Sequence, residues 1–155
     1  DGCRRILCLR SNSRMRMPAN KRTDAYLDVV EQAGLSALVR EVEFVKPDDE
    51  KGAVVAKILD ENPDIDGIFA GDDTMAAICL NVMKQRGLSA PDDIKVVGAD
   101  GARRTMTFMP DLTTVRQDID RIGELAAQSI IALINGDNPE SNIKLPVELI
   151  EGKTA

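Results

Sequence analysis

Hydrophobic positions along the chain switch repeatedly between a period of two and a period near 3.6, the signatures of strand and amphipathic helix. Gly2-Cys3-Arg4-Arg5-Ile6-Leu7-Cys8-Leu9 opens as a strand, and a polar, Met-containing loop with Pro18 follows over 11–19. Asn20 is placed to cap a helix in which Tyr26, Leu27, Val30 and Ala33 share a face and which Gly34 stops. Residues 39–45 alternate as a strand. Pro47-Asp48-Asp49 then opens a helix carrying Ala53, Val54, Ala56, Ile58 and Leu59, ended by Asn62-Pro63. Residues 65–70 are the next strand, Asp73 is placed to cap a helix over 74–86 that Gly87 ends, and a Pro91-Asp92-Asp93 turn leads into a strand at 94–97.

This βαβαβαβ rhythm predicts an α/β fold, a parallel sheet with helices on both faces. Beyond it, residues 112–116 read as a short strand. A long helix over 119–134 carries Ile119, Ile122, Ala126, Ile130 and Leu133 on one stripe and closes at Asn135-Gly136. After a turn at 137–141, residues 145–150 read as an edge strand with Pro146 near its start, where the missing amide is tolerated. In an open parallel sheet, ligands bind beyond the carboxyl ends of the strands. Two strands here end in carboxylates, at Gly71-Asp72-Asp73 and at Ala99-Asp100-Gly101, so topology turns Asp72 and Asp100 toward a small molecule.

The 155 residues, 43% of them hydrophobic, suffice for one domain with its own core. A net charge of −6 argues against a nucleic-acid surface. The positive residues Arg4, Arg5, Arg10, Arg14, Arg16, Lys21 and Arg22 gather at the N-terminus, as a local anion site or simply a solvated loop and helix start. Cys3, Cys8 and Cys79 are an odd set, the last two in apolar runs, which favours a reducing compartment. No apolar run reaches the ~18 residues of a membrane helix. There is no signal peptide, and the chain reads as starting in the middle of a larger protein.

Each candidate has a plainer reading beside the functional one. Asp73 is explained by capping alone, Arg22 by a place on a helix surface, Met15 and Met17 by the loop, and Met75 and Met83 by helix packing.

Taken in order, Gly71-Asp72-Asp73-Thr74-Met75-Ala76, the run Arg86-Gly87-Leu88-Ser89-Ala90-Pro91-Asp92-Asp93-Ile94-Lys95-Val96-Val97-Gly98-Ala99-Asp100, Leu112-Thr113-Thr114-Val115-Arg116-Gln117-Asp118 and Leu145-Pro146-Val147-Glu148-Leu149-Ile150 resemble the effector-binding domain of lactose-repressor-type (LacI/GalR) transcriptional regulators. The resemblance spans the chain but only the second part of the family's protein; the helix-turn-helix headpiece, the hinge and most of the first subdomain have no counterpart. It implies one subdomain of a type I periplasmic-binding-protein-like fold over 1–117, a crossover helix of the other subdomain over 118–143, and a return strand and tail over 144–155. It also implies a cytoplasmic, non-enzymatic repressor component that senses an effector, a sugar by family default. No cofactor, metal or membrane is implied, and operator DNA would be met only through the headpiece.

Residue by residue, the resemblance places Arg22, Asp72 and Asp100 against the effector, with Phe44 and Gln117 also assigned to that site. Arginine offers a planar fork of donors, and a carboxylate accepts two hydroxyls at once. Three departures stand out. Asp72 replaces the usual asparagine and only accepts, Ala25 replaces a glycine, and Gly101 replaces a second aspartate. Aromatic residues are 3% of the chain, so sugar stacking would rest on Phe44, Phe69 or the other half. The resemblance further implies a homodimer whose surface includes Ala77, Ile78, Met106, Phe108 and Leu112. The helix over 119–134, lacking its family partners, is expected to dock on a second copy or fold back on the subdomain.

Two other function classes are open to these residues. Asp72, Asp73 and Asp100 at strand ends could hold Mg²⁺ for phosphoryl transfer, but the chain has zero His, no phosphate loop and no framed serine nucleophile. A secreted sugar-binding protein of the same fold is the other, and the odd thiols and Leu112-Thr113-Thr114 favour the regulator over it.

Overall fold

The computed structural model describes residues 2–12 and 19–155. Arg14, Met15, Arg16, Met17 and Pro18 of the expected loop lie outside the described residues. In chain order the elements are β1 (Ile6–Asn12), α1 (Ala19–Gln32), β2 (Leu38–Glu43), α2 (Asp48–Glu61), β3 (Gly67–Ala70), α3 (Asp73–Gln85), β4 (Lys95–Asp100), α4 (Arg103–Phe108), β5 (Thr113–Gln117), α5 (Ile119–Ile134) and β6 (Val147–Ile150). One sheet runs β2-β1-β3-β4-β5-β6. The first five strands are parallel, and β6 closes the edge antiparallel to β5. This is the doubly wound order, whose reversal lies between β1 and β3.

Alternation along β1 divides the core. Leu7 and Leu9, both fully buried, join Ile68 and Val96 on the face covered by α2 (Val55, Ile58, Leu59) and α3 (Met75, Cys79, Met83). Cys8 points the other way, onto Tyr26 and Val30 of α1, with Ile6, Val39 and Phe69 around them. Each large apolar side chain so buried contributes about 1.5–3 kcal/mol. Tyr26 keeps its polar tip satisfied, its hydroxyl donating to the Ile6 carbonyl at 2.7 Å and accepting from the Leu38 amide at 3.0 Å.

Several sequence expectations need correction. Asn20 lies inside α1 and is not its cap. The cap of α3 is Asp72, one residue earlier than expected, and Asp73 is the helix's first residue. The segment between Gly101 and Leu112 holds a short helix, α4, which no periodicity announced.

The tail after β6 is hydrogen-bonded to the sheet. Val96 donates to the Thr154 carbonyl at 2.6 Å, and the Thr154 hydroxyl donates to the Val96 carbonyl and accepts from the Thr113 amide at 2.7 and 2.9 Å. Residue 152 must be glycine for this approach, because a Cβ there would lie 2.2 Å from the Asp111 carbonyl oxygen.

The long helix α5 matches its expected bounds, but it does not fold back on the sheet. Ile119, Ile122, Ile130, Ile131, Leu133 and Ile134 are 43 to 78% exposed. Beside it runs a groove of about 430 Å³, where Ile122, Leu125 and Ala126 face Ile143, Leu145 and Pro146. Over β1 and β3 the sheet is already covered, by α1 on one side and by α2 and α3 on the other.

Candidate functional site

At the carboxyl edge of the sheet a cleft of about 530 Å³ is lined by Ser11, Arg22, Phe44, Lys51, Gly71, Asp72, Thr74, Met75, Ile78, Asp100 and Gln117. The strands supply it directly. Ser11 lies near the end of β1, Gly71 and Asp72 follow β3, Asp100 ends β4 and Gln117 ends β5. Arg22 reaches in from α1, and Lys51 from α2.

Asp100 is the centre of the arrangement. Its Oδ1 accepts from Arg22 Nη2 at 2.5 Å and from Gln117 Nε2 at 2.8 Å, while Arg22 Nη1 donates to the Gly71 carbonyl at 2.5 Å. Arg22 thereby ties the ends of β3 and β4 together. Asp100 also has φ 111°, a left-handed value costing on the order of 1–3 kcal/mol for a residue with a side chain. Such strain persists where the surroundings over-determine it, and these cluster at functional sites. Gly101, at φ 59°, follows in the same region, and a Cβ there would lie 2.5 Å from that of Arg116. Glycine in place of the family's second aspartate is thus required by the backbone.

Asp72 faces the cleft with one oxygen firmly bonded and the other held by a long bond. Oδ1 accepts from the Met75 amide at 2.8 Å as the cap of α3, and Oδ2 accepts from the Ser11 hydroxyl at 3.4 Å. Asp73 turns inward. It is 3% exposed, Oδ2 accepts from the Gly101 amide at 2.8 Å, and Oδ1 accepts from the Thr114 hydroxyl at 2.5 Å. Burial raises its pKa above the ordinary value; the bonds from Thr114, Gly101 and Ala102 oppose this, and the Asp100 charge adds to it. The three carboxylates thus serve different partners. Among the described residues no group of three or more His, Cys, Asp or Glu is placed to hold a metal ion.

All five residues assigned to the effector site from sequence, Arg22, Phe44, Asp72, Asp100 and Gln117, line this one cleft. Phe69 does not, since it packs against the Cys8 and Tyr26 cluster. Ser11, Lys51, Thr74 and Met75 were missed. Ser11 and Thr74 were legible from the rule that flagged Asp72 and Asp100, lying at or just past strand ends; nothing in the sequence marked Lys51. Its ammonium sits 5.8 Å from the Phe44 ring centroid and 3.1 Å from Asp48 Oδ1.

The residues assigned to a dimer surface divide. Leu112 is fully buried, and Ile78 is 8% exposed and lines the cleft. Ala77 and Met106 are half-buried, and Phe108 on α4 is 75% exposed.

Comparison with known proteins agrees with this fold. The model of the periplasmic binding protein-like domain family matches residues 1–155. The ribose operon repressor of Halalkalibacterium halodurans is 30% identical over 155 residues, a span of 99% of this chain and 46% of that protein. The sucrose operon repressor of Lactococcus lactis subsp. lactis is 32% identical over 152 residues, covering 98% and 46%. The chain thus spans about half the length of these curated relatives. A periplasmic binding protein/LacI transcriptional regulator from Alkaliphilus metalliredigens QYMF, solved in complex with D-xylulofuranose, superposes with a TM-score of 0.82 at 25% identity over 99% of this chain and 57% of that one. No helix among the described residues is long and apolar enough to cross a membrane. The chain belongs to the periplasmic binding protein-like domain family, in the form found in lactose-repressor-type transcriptional regulators.

Proposed function

We propose that this chain is the C-terminal subdomain of the effector-binding domain of a cytoplasmic, sugar-responsive transcriptional repressor, and that its cleft binds the effector. The observation that carries the reading is the strained Asp100, held by Arg22 and Gln117 at the mouth of a cleft at the sheet's carboxyl edge. The lining charges balance, Arg22 and Lys51 against Asp72 and Asp100, which suits a neutral polyhydroxyl ligand better than an ion. Asp72 and Asp100 accept from hydroxyls, Arg22 and Gln117 donate to ring or hydroxyl oxygens, and the half-exposed Phe44 ring offers an apolar face. The names of the relatives, ribose and sucrose operon repressors, support a sugar.

Two partners complete the reading. The exposed stripe of α5 supports its assignment as a crossover helix that covers the first subdomain, and the surface of α4 with Phe108 supports a homodimer that carries operator-binding headpieces outside this chain. The cleft is read as a binding site and not as an active site, since its carboxylates are engaged as cap and ion-pair partners.

Thermal-shift titration of the intact protein with D-ribose, sucrose and D-xylulose, with glycine betaine as a non-sugar control, tests the proposal. A ligand at a hundredfold its Kd raises stability by about 2.7 kcal/mol through mass action. A rise in melting temperature with a sugar and not with the control is expected; no rise with any sugar counts against the assignment.

A further inference from the structure

Asp73 is absent from the cleft lining, yet it grips the turn that presents Asp100. Its carboxylate is buried between three elements: the start of α3 that carries it, the end of β4 through the Gly101 amide, and β5 through the Thr114 hydroxyl. Asp100 and Gly101 are consecutive left-handed residues. The amides that follow, of Gly101 and Ala102, both bond to the Asp73 carboxylate, and an anion seated there holds the conformation. Gly98 shows how closely the carboxylate is fitted, because a Cβ at that position would meet Asp73 Oδ1 at 2.5 Å.

We infer that Asp73 is a positioning residue for ligand binding: by clamping the Gly101 amide to Thr114 it holds Asp100 in the left-handed conformation from which its side chain meets Arg22 and Gln117. Without the clamp, Asp100 relaxes toward an ordinary φ and its carboxylate leaves the two donors. The ligand-binding part of this inference rests on the reading of Asp100 as an effector contact.

The test uses the intact protein with Asp73→Ala, Asp73→Asn and Thr114→Val, and two readouts. Hydrogen exchange over residues 99–104 is expected to rise about tenfold or more in Asp73→Ala, as the loss of a hydrogen bond to a charged group implies, while residues 19–32 exchange as in the wild type. Asp73→Asn, which can still accept from the Gly101 amide, restores protection. Thr114→Val keeps the side-chain shape and removes only the hydroxyl; it too raises exchange at 99–104, and it decides the matter if Asp73→Ala fails to fold. Calorimetry with D-ribose, sucrose and D-xylulose then follows the cleft: whichever sugar the wild type binds is held about tenfold more weakly by Thr114→Val and Asp73→Ala, and normally by Asp73→Asn. Unchanged exchange at 99–104, or a rise spread evenly over the sheet, overturns the clamp. A wild type that binds none of the three sugars overturns the effector reading instead, and exchange still decides the clamp.

Discussion

Asp72 and Asp73 are neighbours in the chain but serve opposite sides of one helix terminus: Asp72 caps α3 from the cleft side, and Asp73 reaches through the interior to Thr114 of β5. Two carboxylates in sequence thus divide a local role from a long-range one. Asp72→Ala should cost about 1 kcal/mol of stability in urea unfolding, the ordinary loss of a helix cap, and Asp72→Asn almost nothing because asparagine caps equally well. Sugar affinity should change in both, since asparagine brings a donor to the cleft where the wild type only accepts.

Arg22→Ala and Asp100→Asn should each weaken effector binding by roughly 1.5–3 kcal/mol, the range for hydrogen bonds to charged groups, with folding retained. Calorimetry on the intact protein checks this. Equal affinity in wild type and both variants would remove the two residues from the site.

The raised pKa of Asp73 gives stability a pH signature. The native state holds this proton more tightly than the unfolded chain, so the contribution is fully present below the ordinary value of 3.8 and is lost as pH rises through the higher folded value. Urea unfolding of wild type and Asp73→Asn across this window should show the wild type losing stability relative to the variant as pH rises. Parallel curves would show that Asp73 does not titrate there.

Thiol reactivity should separate the three cysteines. Cys79 is fully buried and its pKa is pushed to about 12 chiefly by burial, and burial raises that of Cys8 as well. Cys3 is part-exposed. A disulfide reagent should label Cys3 in the native protein and reach Cys8 and Cys79 only on unfolding, with mass spectrometry locating the adducts.

If α4 lies at a dimer interface, Phe108→Asp should shift the intact protein toward monomer in sedimentation at micromolar concentration without lowering its melting temperature at high dilution. A monomeric wild type would dismiss the proposed homodimer.

The sequence was most legible where one signal sufficed. The bounds of α2 and α5 followed from apolar spacing with Pro47 before one and Asn135-Gly136 after the other, and five cleft residues followed from strand ends together with the family resemblance. It was least legible where two readings differ by a single residue or by fold context. Asp72 and Asp73 are both good caps, and only the position of β5 shows which is taken inward. Six-residue α4 is too short to display a period, and its cap Ala102 offers no side-chain bond. Leu112 and Ile78 look like any apolar surface pair until the strand and cleft beside them are in place.

The seat of Thr154 between β4 and β5 has a bearing on how the molecule is made. Its bonds to Thr113 and Val96 join residues 41 and 58 positions apart, so they close large loops at considerable entropic expense and arrive late in folding. A ribosome delivers the chain from its N-terminus, and while residue 154 is still inside the exit tunnel the backbone groups of Val96 and Thr113 lack these partners. The amino ends of β4 and β5 are therefore tied together only after β6 has emerged, which makes the end of the sheet opposite the cleft one of the last parts of the subdomain to become rigid.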